Sequence, residues 1–280
     1  MPETRTTQEN GKERYLSLLA QTLNASLYDE SAWRVITPNT FVKRFVTRVL
    51  ASRSFKLVKY RPFDASARER GADWPMFGYT MVGARRLENV RELAKSVVAD
   101  GTPGDFVECG AWRGGSSIFA RAALDAYGGQ ERLVWLADSF EGMPKRKSSD
   151  MADPEFDSYD YLKVSVEQVK KNFQRFDLLD ERVRFIKGWF SDSLPSAPIE
   201  RIAILRLDGD YYSSTMDALN ALYRRVSFGG YVIVDDYNSF ASCKQAISDF
   251  FASERINPIL IPIDEFSVYW KKEVDQAREV

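Results

Sequence analysis

Two acidic clusters, Asp208 with Asp210 and Asp235 with Asp236, close apolar runs in the segment LRLDGDYYSSTMDALNALYRRVSFGGYVIVDDYNSF, residues 205 to 240. Asp208 precedes Asp235 by 27 residues, the length of one strand-helix-strand unit, so parallel neighbouring strands would set the two clusters side by side. Carboxylates held that close repel and raise one another's pKa unless a cation neutralises them. Hard oxygen donors favour Mg²⁺, with Ca²⁺ or Mn²⁺ as alternatives. Helix capping is the plainer reading. It accounts for one acid at each strand end and not for the convergence of Asp208, Asp235 and Asp236.

Three further stretches supply ligand-binding groups. In FVECGAWRGGSS (106–117) glycines between a strand and a helix let backbone N–H groups approach a ligand, and Glu108 can accept hydrogen bonds from it. This stretch matches neither the dinucleotide GxGxxG pattern nor a Walker loop, and a packing turn would look the same. In RLVWLADSF, Asp138 ends the next strand, where a carboxylate can accept from both hydroxyls of a ribose. Two carboxylates suit an adenosine ligand bearing positive charge better than a pyrophosphate, which points to S-adenosylmethionine. In RFIKGWFSDSLP, Trp189 and Phe190 could flank an adenine ring, although paired aromatics are more often core.

These groups need a frame that brings strand ends together. From residue 104 onward, β-rich runs (DFVECG, RLVWLAD, RVRFIKG, IAILRLDG, YVIVDD) alternate with helical segments near 116–127, 161–175, 214–225 and 240–253. That alternation predicts a mostly parallel sheet with helices on both faces, an α/β fold. PILIPI and SVYWKK, joined by DEF, predict an antiparallel hairpin at its end. Glu108, Asp138, Asp208, Asp235 and Asp236 then share the rim beyond the carboxyl ends, where such sheets bind ligands. Helical patterns at 13–24, 40–52 and 85–99 predict a helical N-terminal extension (1–99) ahead of the main unit (100–280). The loop 141–165 is long enough to serve as a lid over the rim.

Composition narrows the chemistry. The chain of 280 residues contains no histidine, which removes Ser-His-Asp and Cys-His catalysis and histidine-ligated zinc. Its 39 basic and 40 acidic side chains nearly cancel, so neither nucleic acid nor an anionic membrane is an expected partner. Cys109 and Cys243 are expected to be reduced thiols. The hydrophilic start, MPETRTTQENGKERY, is unlike a secretory signal, and the cytoplasm is the expected compartment.

The succession ERYLSLLAQTL, DWPMFGYTMVGARRLENV, FVECGAWRGGSS, LADSFEGMP, LRLDGDYYSSTMDALNALY and GGYVIVDDY resembles the macrocin O-methyltransferase (TylF/MycF) family, from about residue 13 to residue 272. The resemblance implies a class I, Rossmann-like methyltransferase with a seven-stranded sheet, dependent on S-adenosylmethionine and Mg²⁺, acting on a sugar hydroxyl of a glycosylated natural product. It implies that Glu108, Gly110 and Ser116 contact the methionine end, Asp138 and Ser139 the ribose, and Trp189 and Phe190 the adenine. Thr80 and Met81 would close over the cofactor. The metal carboxylates would fall on Asp208, Asp235 and Asp236. Asp208 is the first choice to take the hydroxyl proton and Asp210 the second. A catechol or polyphenol would suit the same metal geometry, and a nicotinamide oxidoreductase or a non-catalytic nucleoside binder would use a related sheet. A glycoside acceptor and further copies of the chain are the expected partners. Family members commonly carry Arg where this chain has Lys244, after Cys243.

Overall fold

The computed structural model describes residues 2–28, 32–35, 41–55, 57–150, 153–157 and 159–273. Before the main sheet come α1 (Pro2–Leu23), β1 (Ala32–Val35), α2 (Phe41–Ala51), β2 (Val58–Arg61), α3 (Ala65–Arg70) and α4 (Ala84–Ala99). The expected helices over 13–24, 40–52 and 85–99 correspond to α1, α2 and α4; residue 40 lies outside the described residues. β1 and β2 pair antiparallel as a separate two-stranded sheet, an addition to the expected mainly helical extension. At four residues each, these strands carry too little alternation to stand out from their surroundings. No residue of α2 is buried.

The main sheet follows. Its elements are β3 (Asp105–Cys109), α5 (Gly115–Tyr127), β4 (Val134–Asp138), α6 (Val166–Arg175), β5 (Val183–Lys187), the short α7 (Phe190–Ser193), β6 (Ile202–Leu207), α8 (Tyr212–Leu222), β7 (Val226–Val234), α9 (Ala241–Glu254), β8 (Ile261–Pro262) and β9 (Val268–Lys271). Seven strands lie in the order β5-β4-β3-β6-β7-β9-β8. β3 to β7 run parallel, while β9 pairs antiparallel with both β7 and β8. The expected terminal hairpin is present, although β8 has only two residues. Residues 161 to 165, expected to begin a helix, form a 3₁₀ turn and a link to Ser165, whose hydroxyl caps α6.

Strand alternation divides the core into two layers. Phe106, Ile204, Tyr231 and Ile233 face one way, against Leu16 and Leu23 of α1, Leu87 and Val90 of α4, and Phe119 of α5. Val107, Leu205, Val232 and Val234 face the other, against Leu219 of α8 and Ile247 and Phe250 of α9. Cys109 and Cys243 are buried free thiols, as the sequence leads one to expect.

The chain leaves β3 toward β4 and β5, then returns to β6 on the other side of β3, so strand order reverses between β3 and β6. Ligands bind at this kind of switch point. Gly110, just past β3, sits at φ +94°, and a Cβ there would lie 1.8 Å from the Asp208 carbonyl oxygen. Only glycine lets the two strand ends approach this closely. Gly110→Ala is expected to lower unfolding free energy by about 3 kcal/mol or more in urea titrations. Wild-type stability in this variant would show that the contact is relaxed in solution.

Candidate active site

A cavity of about 820 Å³ opens over the carboxyl ends of β3, β4, β6 and β7. One half of its lining comprises Thr80, Met81, Gly110, Ser116, Asp138, Ser139, Trp189 and Phe190. The other half holds Asp208, Asp210, Asp235 and Asp236. Loop 141–165, of which residues 151, 152 and 158 lie outside the described residues, contributes Met143, Lys145, Phe156 and Leu162 to the wall. Tyr211 anchors that loop by donating its hydroxyl to Pro154 O (2.9 Å) and accepting from Phe156 N–H (3.1 Å). Asp150 anchors it again, accepting from the Ser213 backbone N–H and hydroxyl, both at 3.1 Å.

In the first half, the N-terminal segment reaches the start of α5. Gly115 N–H donates to Tyr79 O (3.0 Å), and the hydroxyls of Thr80 and Ser116 lie 3.2 Å apart. Asp138 accepts from the N–H groups of Ala111 (2.8 Å), Trp112 (3.2 Å) and Phe140 (2.7 Å), which fixes its carboxylate at the cavity wall. Burial raises its pKa, and those N–H donors offset part of the rise. The volume, the placed carboxylate and the aromatic pair at Trp189 and Phe190 fit an adenosine-bearing ligand.

Glu108 departs from the expectation. It is 1% exposed and does not line the cavity. The period-two alternation of β3 places it on the same face as Phe106, beneath α5, where it accepts from Arg206 (2.7 Å) and from the Ser117 hydroxyl. Burial pushes its pKa up to about 7, against the opposing pull of Arg206 and Ser117.

In the second half, one carboxylate oxygen from each of Asp208, Asp210 and Asp236 lies within 4.8 Å of the others. Asp210 takes a left-handed backbone at φ +56°, uncommon outside glycine and tolerated by Asp. Oδ2 of Asp236 is buried with no hydrogen-bond partner among the described residues. Burial, then the neighbouring Asp208, push the pKa of Asp210 up to about 7. Burial, then Asp210 and Asp208, raise that of Asp236 well above the usual range. Converging hard oxygens, on a cluster in which Asp236 Oδ2 has no donor among the described residues, fit a divalent cation of the Mg²⁺ type.

Asp235 corrects the expected ligand set of Asp208, Asp235 and Asp236, because it is not among the three converging carboxylates. Its Oδ1 accepts from Arg206 Nη2 (2.5 Å) and its Oδ2 from Arg86 Nη1. Burial opposes ionisation of Asp235, yet Arg206 and Arg86 hold its pKa below the ordinary value. Arg86 also donates to Asp264 (2.9 Å) and to Arg70 O (3.2 Å). The sequence reading missed both arginines. Arg206 carried a usable signal, since a charged side chain inside the apolar run IAILRLDG must find partners.

A family model described as Macrocin-O-methyltransferase (TylF) matches residues 12–272. The 8-demethyl-8-(2,3-dimethoxy-alpha-L-rhamnosyl)-tetracenomycin-C 4'-O-methyltransferase of Streptomyces olivaceus is 48% identical over 221 residues, 78% of this chain and 84% of that protein. The mycinamicin III 3''-O-methyltransferase of Micromonospora griseorubida is 40% identical, covering 94% of this chain and 97% of that one. Among solved structures, the O-methyltransferase NovP superposes with a TM-score of 0.81 at 39% identity, over 94% of this chain and 100% of that one.

The acid cluster makes the metal-free protein sensitive to alkali. Asp210 and Asp236 have folded pKa values above their unfolded ones, so the native state binds the extra protons. Stability should therefore fall as pH rises from about 4 toward and beyond 7, whereas depressed Asp235 costs stability only below about pH 4. In EDTA, melting temperature is expected to drop between pH 5 and pH 8, and Asp236→Asn should flatten that drop and melt higher at pH 8. Equal slopes for the two proteins would show that the carboxylates do not interact.

Proposed function

The chain belongs to the TylF macrocin O-methyltransferase family, and from that premise we propose that it methylates a sugar hydroxyl of a glycosylated natural product, using S-adenosylmethionine and Mg²⁺. The observation that carries this reading is one cavity holding nucleoside-type groups on one side and converging carboxylates on the other. The Streptomyces olivaceus relative is named for a rhamnosyl-bearing acceptor, which supports a sugar over a catechol. Asp138, Ser139, Trp189 and Phe190 would hold the adenosine, and Thr80, Met81, Gly110 and Ser116 the methionine end. Asp208 and Asp236 would hold the cation, with Asp210 the third carboxylate of the cluster beside them.

When bound beside these residues, S-adenosylmethionine would supply an electrophilic methyl group and a divalent cation would offset negative charge on the acceptor oxygen. In the transfer an O–C bond forms as the S–C bond breaks, with the electron pair left on sulfur and the hydroxyl proton passed to a carboxylate. Asp210 is better suited to receive it than Asp208. Asp208 accepts from the Arg206 guanidinium at 2.7 Å, which weakens it as a base, while no guanidinium reaches Asp210 among the described residues. Phe156 and Phe240, which pack together in the cavity lining, would shield the reacting oxygen from water.

We propose further that the protein self-associates. Phe41, Val42 and Phe45 of α2 are exposed, and the stretch 31–63 carries eight Lys and Arg with no Asp or Glu. The whole chain has a net charge of −1, so the remainder carries −9 and complements that stretch. Light scattering behind size exclusion should give a mass above 32.0 kDa that falls toward it in Phe41→Asp/Phe45→Asp. A wild-type monomer at micromolar concentration would refute self-association.

The activity is tested by mass spectrometry of glycosides incubated with enzyme, S-adenosylmethionine and Mg²⁺, where one added methyl group is expected. Asp210→Asn should lower kcat about 10²- to 10⁴-fold while leaving the affinity for S-adenosylhomocysteine within about twofold. Full turnover in this variant would assign the proton to another residue.

A further inference from the structure

Arg206 stands where the two halves of the cavity meet, yet it lines neither. It is 1% exposed, the fifth residue of a strand whose six residues are all buried. Its Nη1 donates to Glu108 Oε1 and to Asp208 Oδ2, each at 2.7 Å, and its Nη2 donates to Asp235 Oδ1 at 2.5 Å. Glu108 in turn accepts from Ser117, the neighbour of Ser116 at the start of α5, so this arm ends on the cofactor side. Asp208 and Asp235 end the other arm within the acid cluster. Asp235 is gripped from its far side by Arg86, which itself lines the cavity.

A planar guanidinium with three carboxylates in its fork fixes their relative positions more strictly than a single pair does. Glu108 and Arg206 are also direct neighbours in register across β3 and β6, the strands that flank the switch point. Contacts thus run without a break from the α5 start through Ser117 and Glu108 to the guanidinium, and from it to Asp208.

We infer that Arg206 is a positioning residue that couples the two half-sites, so that occupation of the nucleoside side favours cation capture by the acid cluster and the reverse. The inference rests on the cation and cofactor reading above. Coupling between two sites is reciprocal in free energy and is measured by binding alone.

The experiment is isothermal titration of Mg²⁺ into wild-type protein with and without saturating S-adenosylhomocysteine, and the reverse titration with and without Mg²⁺. Wild-type protein is expected to gain about fivefold or more in affinity for each ligand in the presence of the other. In Arg206→Met the gain should fall to about onefold, with S-adenosylhomocysteine affinity in the absence of Mg²⁺ kept within about threefold. Because that change leaves Glu108 without its cation, Glu108→Gln/Arg206→Met serves as the second variant, and thermal melts verify that each is folded. Arg206→Lys, which keeps the charge and loses the fork, should recover only part of the coupling. A folded methionine variant retaining the wild-type gain in both titrations would overturn the inference alone. Wild-type protein that binds Mg²⁺ with no gain from S-adenosylhomocysteine would do the same. Wild-type protein that binds no Mg²⁺ in either state would overturn the cation reading and the inference with it.

Discussion

Crowding of negative charge at the ends of β6 and β7 is the constraint around which this molecule is organised. Four aspartates, Asp208, Asp210, Asp235 and Asp236, meet at one end of one cavity. Two buried guanidiniums, Arg206 and Arg86, answer part of that charge by gripping Asp235 on both sides. The pairing divides the acids by role. Asp235 is ionised and held, whereas Asp210 and Asp236 are left facing each other with raised pKa values and a buried oxygen that no donor reaches. Such an arrangement costs stability in the absence of a cation and is retained where function uses the charge.

The fold makes the crowding possible by local means. Gly110 lets β3 approach the backbone of Asp208, and the reversal of strand order at this point leaves the rim open for a ligand. Layers on both faces, built from α1, α4 and α5 on one side and α8 and α9 on the other, hold the strands in register. The loop that forms part of the cavity wall is pinned by Tyr211 and Ser213, residues directly following Asp210 or close to it in the chain. The segment GDYYSS thus supplies both a carboxylate of the acid cluster and the anchors of the loop beside it.

Much of this was legible because strand ends and helix starts leave local marks. The parallel sheet, its terminal hairpin and the gathering of Asp138, Asp208, Asp235 and Asp236 at one cavity follow from alternating runs and from acids placed after them. Side-chain direction at a strand end was not legible. Glu108 looks equivalent to Asp138 in sequence, yet it falls on the last inward position of β3 while Asp138 lies at the open edge of β4, so one is interred and the other lines the wall. The pairing of Asp235 was not legible for a related reason, since one of its partners, Arg86, lies 149 residues away and no local pattern announces it. The pairing of β1 with β2 depends on contacts that four-residue strands do not encode by periodicity.

The central claim is that these carboxylates capture a divalent cation beside the nucleoside pocket. A crystal structure of the protein grown with Mn²⁺ and S-adenosylhomocysteine tests it most directly, because the ion is identified by its anomalous signal. The account predicts one strong peak in coordination contact with Asp208 and Asp236 and facing the sulfur of the bound nucleoside. No peak at the cluster in crystals saturated with Mn²⁺, with Asp210 and Asp236 sharing a proton instead, would contradict it.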